Sequence, residues 1–156
     1  AHDPADNRET ATAIFAGGCF WGVEGVFSRV RGVIRVTSGY HGDGADNARY
    51  DLVSSGATRH AEAVRITYDP EVVSYGTLLR ILFSVVIDPT TLNRQGPDVG
   101  AHYRSAIVPA NASQRSVATR YIAQLEAGRH WPRPIVTRIE EPQTFYRAEA
   151  YHQDFM

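Results

Sequence analysis

A single cysteine, Cys19, stands in 156 residues, and this count decides how the chain can hold itself together. No intrachain disulfide can form and no cysteine-based zinc cage can be built, so stability has to come from a buried apolar core. The length allows this, because a domain of about 150 residues buries roughly 68–70% of its unfolded surface. At 43% hydrophobic and 21% charged the composition is that of a soluble globular chain and not a disordered one, and the length suits one domain. All 16 basic residues are arginine, which excludes a Schiff-base lysine, a pyridoxal phosphate anchor and a P-loop lysine. The formal charge of −1 gives no electrostatic case for nucleic acid or an anionic membrane. No apolar run approaches the ~18 residues of a membrane span.

Residues 1 to 10 are polar and read as a flexible tail, leaving 11 to 156 as a single domain. Thr12–Ala16 is a short apolar strand closed by Gly17-Gly18. Val23, Val26, Phe27 and Val30 recur at helical spacing from Cys19 onward, with Gly32 as the stop. Val33–Thr37 reads as a strand, and 39 to 60 as a long Gly/Asp/Ser-rich loop of the kind that carries function. Glu62–Tyr68 alternates as a strand. Ser74 caps a helix with Leu78, Leu82, Val85 and Val86 on one face, ending before Pro89. After a polar loop, Tyr103–Val108 is a strand and Ser113–Ala127 a helix. Ile135–Ile139 is a last strand, and Arg147–Phe155 a short closing helix. This order predicts an α/β (α+β) fold, a two-layer sheet on the split βαβ plan with helices mainly on one face.

Cys19 lies where a strand, two glycines and a helix meet. A lone cysteine is as readily a small buried apolar residue as a reactive one. Here a helix N-terminus would stabilise a thiolate and lower its pKa. Phe20 and Trp21 follow directly and could line an apolar cup. Glu62 shares a strand face with Val64, Ile66 and Tyr68, while Arg65 and Thr67 face away. A carboxyl held on that face should have a raised pKa, and one that curls from the strand end into solvent should not. The six histidines fall in different elements with no i, i+4 pair, so no metal site is expected.

The run Gly18-Cys19-Phe20-Trp21-Gly22-Val23-Glu24 resembles the signature of the peptide methionine sulfoxide reductase A family. Further landmarks follow in family order: Ser38-Gly39-Tyr40, His60-Ala61-Glu62, Tyr68-Asp69-Pro70, Asp88-Pro89-Thr90, Asn93-Arg94-Gln95-Gly96, Asp98, Tyr103-Arg104-Ser105, Ala148-Glu149 and Tyr151-His152-Gln153. The resemblance covers roughly Ala13 to Phe155. It implies a ferredoxin-like βαββαβ core with additional C-terminal helices and a strand. It also implies reduction of the S epimer of methionine sulfoxide, free or in oxidised proteins, through a sulfenic acid on Cys19. Glu62 matches the family's catalytic acid. Tyr50 and Tyr103 match the paired phenols that bind the sulfoxide oxygen, and Asp98 a residue near the site. Phe20 and Trp21 would receive the S-methyl group. Departures are Gly42-Asp43-Gly44 in place of a glycine pair, Arg59, Ile87 and Ala101-His102. None of them removes a catalytic group.

No bound cofactor is implied, only an external thiol: thioredoxin, glutaredoxin with glutathione, or a small dithiol. Many family members carry a resolving cysteine near the C-terminus, and nothing after Cys19 is a cysteine here. The external thiol is therefore expected to attack Cys19 directly, and the alternative of a resolving cysteine lost with a C-terminal extension stays open. Two other classes compete: a single-cysteine peroxide reductase, which leaves Glu62 unexplained, and a binding module that has lost turnover. The chain is expected to be a monomer. A cytoplasmic location is favoured, with a periplasmic or secreted one left open by the missing initiator Met.

Overall fold

The computed structural model describes residues 9–153. In chain order its elements are β1 (Ala11–Gly17), α1 (Phe20–Phe27), β2 (Val33–His41), α2 (Tyr50–Ser54), β3 (Ala61–Tyr68), α3 (Tyr75–Ile81), β4 (Arg94–Gln95), β5 (Asp98–Val99), β6 (Ser105–Val108), α4 (Ala112–Gly128), β7 (Arg138–Ile139) and β8 (Tyr146–Arg147). Among the described residues the main sheet runs β7-β6-β1-β3-β2-β8, and β4 pairs with β5 in a separate hairpin. Every pairing in the main sheet is antiparallel except β6 with β7, which makes it a mixed sheet.

The two-residue period of β1 and β3 sorts the two faces. Phe15, Val64 and Ile66 point to one side, where Phe20, Phe27, Leu78 and Leu82 from the helices close over them, all fully buried. The opposite face carries Ala16, Ala61, Ala63 and Ala106. These small side chains let the segment before β8 lie flat on the sheet, with Phe145 over the alanines and the Arg65 guanidinium 4.9 Å from its ring centroid. Gly39 is the tightest point, because a Cβ there would run into both the Phe145 ring and the Tyr146 carbonyl oxygen.

Several elements differ from the pattern reading. β2 continues to His41, and α2 takes up part of the expected loop, so Tyr50 begins a short helix. α1 is shorter than its apolar spacing suggested, with Cys19 as its N-cap and Ser28 as its C-cap. α3 has the expected Ser74 cap, whose hydroxyl accepts from Thr77 N at 3.1 Å, but it runs on into a π turn at Leu82–Val86. The wider turn rotates Val85 out of the apolar face, to 65% exposure. Tyr103 belongs to a 3₁₀ turn, Ala101–Tyr103, and β6 starts only at Ser105. The last strand shrinks to the two residues of β7. The expected closing helix is instead β8 followed by the single 3₁₀ turn Ala150–His152, with Phe155 outside the described residues.

Candidate active site

β1 ends on Gly17-Gly18, and the chain must turn there directly into α1. Gly18 makes the turn with φ at +91°, and a Cβ at this position would meet Gln95 at 2.8 Å. The turn delivers Cys19 to the first position outside the helix, half-buried and reduced. Its thiol pKa is raised and not lowered, against the expectation from the helix terminus. Burial is the largest cause, and the charges of Glu62 and Asp98 add to it. Hydrogen bonding from the Trp21 and Gly22 backbones opposes the rise without overcoming it.

Glu62 lies on the helical face of β3, 1% exposed. Its Oε1 accepts from the Phe20 backbone N–H at 3.2 Å, one residue past the thiol. Its Oε2 is buried and has no hydrogen-bond partner among the described residues. Burial drives the Glu62 pKa up to about 7; the Phe20 N–H pulls it down, and Asp98 pushes it up. The carboxyl is thus half-protonated at neutral pH, as its strand face predicted.

Around these two groups the aromatics form a wall. The Phe20 ring stacks on Tyr50 at 6.3 Å, and the Trp21 ring on Tyr50 at 6.1 Å. His152 closes the wall from the far end of the chain. Its ring lies 4.2 Å from Tyr50, and its Nδ1 accepts from Trp21 Nε1 at 3.2 Å. Tyr40 backs Phe20 at 5.8 Å. Tyr50 and Tyr103 both have raised pKa values, Tyr103 up to about 12. Burial is the main cause for each, followed by the charge of Glu62, with smaller effects of Cys19 and Asp98. Both phenols are therefore protonated donors in the field of the thiol and the carboxyl. Asp98 lines a cavity of about 330 Å³ together with Cys19, Gly22, Val86 and Gln95.

All seven residues singled out from the sequence thus converge on one site: Cys19, Phe20, Trp21, Tyr50, Glu62, Asp98 and Tyr103. A larger cavity of about 720 Å³ lies apart, lined by Arg59, Arg104, Arg138 and Glu140, and holds none of them. Among the described residues no group of three or more histidine, cysteine or carboxylate side chains is placed to hold a metal. Sequence reasoning assigned no role to Tyr40, Glu149 or His152. Each stood inside a recognised landmark, but nothing in the spacing tied 148–153 to residues about a hundred positions earlier.

The family model described as Peptide methionine sulfoxide reductase matches residues 11–156. The chain belongs to this family. A curated relative from Mesorhizobium japonicum, "Peptide methionine sulfoxide reductase MsrA 2", is 57% identical over 145 residues, which is 93% of this chain and 74% of the relative. Among solved structures, reduced Mxr1 from Saccharomyces cerevisiae matches with a TM-score of 0.83 at 30% identity, covering 99% of this chain and 87% of that one. Mxr1 in complex with Trx2 matches with a TM-score of 0.62 at 22% identity, covering 100% of this chain and 89% of that one, a likeness of fold.

Proposed function

We infer that this protein is a peptide methionine sulfoxide reductase: it reduces methionine sulfoxide to methionine at the expense of a thiol, and Cys19 is the group that takes the oxygen. The observation that carries the assignment of roles is Glu62, whose pKa of about 7 and unpartnered Oε2 put a transferable proton beside the one thiol in the chain. A sulfoxide sulfur accepts a nucleophile only as its oxygen is protonated, so acid and thiol must act on the same molecule. The S-methyl group rests against Trp21, with the enclosed Phe20 ring backing the wall behind it. The Tyr50 and Tyr103 hydroxyls and the Glu62 carboxyl face the oxygen, where negative charge develops. Asp98 acts at the edge of the Cys19 cavity.

In balanced form, the Cys19 sulfur bonds to the sulfoxide sulfur as Glu62 protonates the oxygen. The S–O bond and the new sulfur–sulfur bond then break as the oxygen, carrying the Glu62 proton, passes to the Cys19 sulfur, which is oxidised to a sulfenic acid while the substrate is reduced to methionine. A thiol then condenses with the sulfenic acid to give a mixed disulfide and water, and a second thiol restores Cys19. The family works with a thiol reductant. For the 156 residues in hand the second sulfur comes from outside, since they hold no other cysteine. Thioredoxin, glutaredoxin with glutathione, or a small dithiol each has the required chemistry.

A ferredoxin-like core is the finer reading of the fold. It is supported by the order β6-β1-β3-β2 with antiparallel neighbours, which is the fourth, first, third and second strand of a βαββαβ unit. The deciding assay is methionine release from separated S and R sulfoxide epimers with excess dithiol. Turnover of the S epimer alone is expected. Turnover of peroxide in preference to both epimers would overturn the reading.

A further inference from the structure

We propose that Glu149 is a positioning residue for the reductase reaction, holding Tyr50 so that its phenol stays at the sulfoxide oxygen. The inference rests on the role given to Tyr50 above and extends it to a residue that never meets substrate.

Tyr50 is exposed to misplacement by its location. It begins a helix of only five residues, preceded by the connection 42–49 with its single 3₁₀ turn at Ala45–Asn47, and α2 contributes just one fully enclosed side chain, Val53. So short a helix has little intrinsic stability. Its ring is flanked by Phe20, Trp21 and His152, and these ring contacts carry no directional hydrogen bond to it. What fixes the residue lengthwise is Glu149. The carboxylate uses both oxygens as a bridge: Oε1 accepts from the Tyr40 hydroxyl at 2.7 Å, and Oε2 from the Tyr50 backbone N–H at 3.0 Å. Tyr40 is fully buried in β2 and packed against Phe20, so one end of the bridge is anchored in the core.

Glu149 is itself held firmly. Ala148 N donates to the Ser38 carbonyl at 2.9 Å. Gln153 accepts from Ser38 N at 2.9 Å and donates to the Ser38 and Ala148 carbonyls at 2.9 and 3.0 Å. Residues 146–153 thus form a strap clipped to the edge of β2, with Glu149 reaching inward from it. Burial opposes ionisation of Glu149, but hydrogen bonds from Tyr50, from its own backbone and from Tyr40 outweigh it and leave its pKa below the ordinary carboxylate range. The bridge is therefore charged and charge-assisted across the neutral range. A displacement of about 1 Å at a reacting centre can cost roughly a hundredfold in rate, so a modest slide of Tyr50 is enough to matter.

The test is a double-mutant cycle on the full chain with dithiol as reductant, reading kcat, KM and the rate of Cys19 alkylation by iodoacetamide. Tyr50→Phe should lower kcat by about a hundredfold, the usual cost of one oxyanion donor. Glu149→Ala should lower kcat by roughly tenfold or more, with KM and the alkylation rate little changed. In the Tyr50→Phe background Glu149→Ala should cost no more than about a further twofold, because its effect passes through the missing hydroxyl. Glu149→Gln, whose amide oxygen still accepts from Tyr50 N, should restore most of the rate. If Glu149→Ala does not fold, Tyr40→Phe releases the same bridge at its buried end and repeats the cycle, with a smaller loss that again vanishes in the Tyr50→Phe background. Full multiplication of the Glu149 and Tyr50 effects, or no loss on releasing the bridge at either end, would overturn the proposal. Wild-type turnover by Tyr50→Phe would also remove it while leaving Cys19 and Glu62 untouched, whereas loss of the overall reading would show as unimpaired turnover in Cys19→Ser.

Discussion

The pairing of Glu62 with Cys19 makes a specific pH profile for kcat/KM, and Glu62→Gln should change its shape as well as its height. In the free enzyme Glu62 titrates at about 7, and the thiol above its ordinary value. Below pH 7 the acid is already protonated, so the rate follows the thiolate and rises about tenfold per pH unit. Above 7, each gain in thiolate is cancelled by an equal loss of the Glu62 proton, and the profile flattens. It falls only above the thiol pKa. The bend at about 7 belongs to the pair and not to either group alone.

Glu62→Gln keeps the shape of the side chain but has no proton to lose in this range. Its rate at pH 7 should drop by roughly 10²–10⁴-fold, the usual worth of a general acid. The bend should vanish, so the rise continues through 7 to the thiol pKa and the deficit narrows by about tenfold per pH unit above it. Alkylation of Cys19, which needs no acid, should be unchanged or slightly faster, because an anion that raises the thiol pKa has gone. The assay is methionine release from the S sulfoxide under dithiol between pH 5.5 and 10, on a scale of about half a pH unit, with iodoacetamide alkylation run in parallel. A bend at 7 that persists in the variant, or equal losses in reduction and alkylation, would refute the reasoning.

The same carboxyl should set a stability trade-off. Because the folded pKa is raised from 4.5 to about 7, the folded state loses stability as pH climbs through that interval, by up to about 3 kcal/mol. In denaturant melts Glu62→Gln should match wild type near pH 4.5 and exceed it at pH 8; equal stability at pH 8 would count against the buried ionisation. Cys19→Ser should retain its circular dichroism spectrum and lose sulfoxide reduction, since a hydroxyl is a poor nucleophile at neutral pH; turnover above about a tenth of wild type would remove Cys19 from the chemistry. Without added thiol each 156-residue chain should release about one methionine and leave a trappable sulfenic acid, and sustained turnover would contradict that stoichiometry. Gly39→Ala should cost about 1–3 kcal/mol in thermal or denaturant unfolding, because its Cβ strikes the Phe145 ring and the Tyr146 carbonyl. It should slow turnover as well by loosening the strap; unchanged stability would show that the segment gives way freely.

Local patterns made much of this legible. The alternation along Glu62–Tyr68 placed the carboxyl on the helical face, and burial then fixed its pKa in the direction foreseen. Ser74 and the glycine pair before Cys19 marked helix starts correctly. The thiol pKa went the other way because the helix terminus supplies fixed partial charge, while burial and two carboxylates act together on the same sulfur. Val85 followed the helical period in sequence and left it in space, because a π turn changes the period just where the chain approaches the site. The closing segment departs from the expected helix because its residues have no strong period of their own. Its conformation is dictated by Ser38, Tyr40 and Tyr50, and only the folded chain brings these to it.

The raised pKa of Cys19 has a consequence for survival under the conditions in which such an enzyme is needed. Peroxide and its relatives attack thiolates, and overoxidation beyond sulfenic acid is hard to reverse. A sulfur that burial and its acidic neighbours hold mainly in the protonated form offers little to a passing oxidant. Its reaction instead favours an occupant that reaches the aromatic wall and presents an oxygen to Glu62. The repair tool is thereby sheltered from the damage it repairs, through the resting charge of one atom.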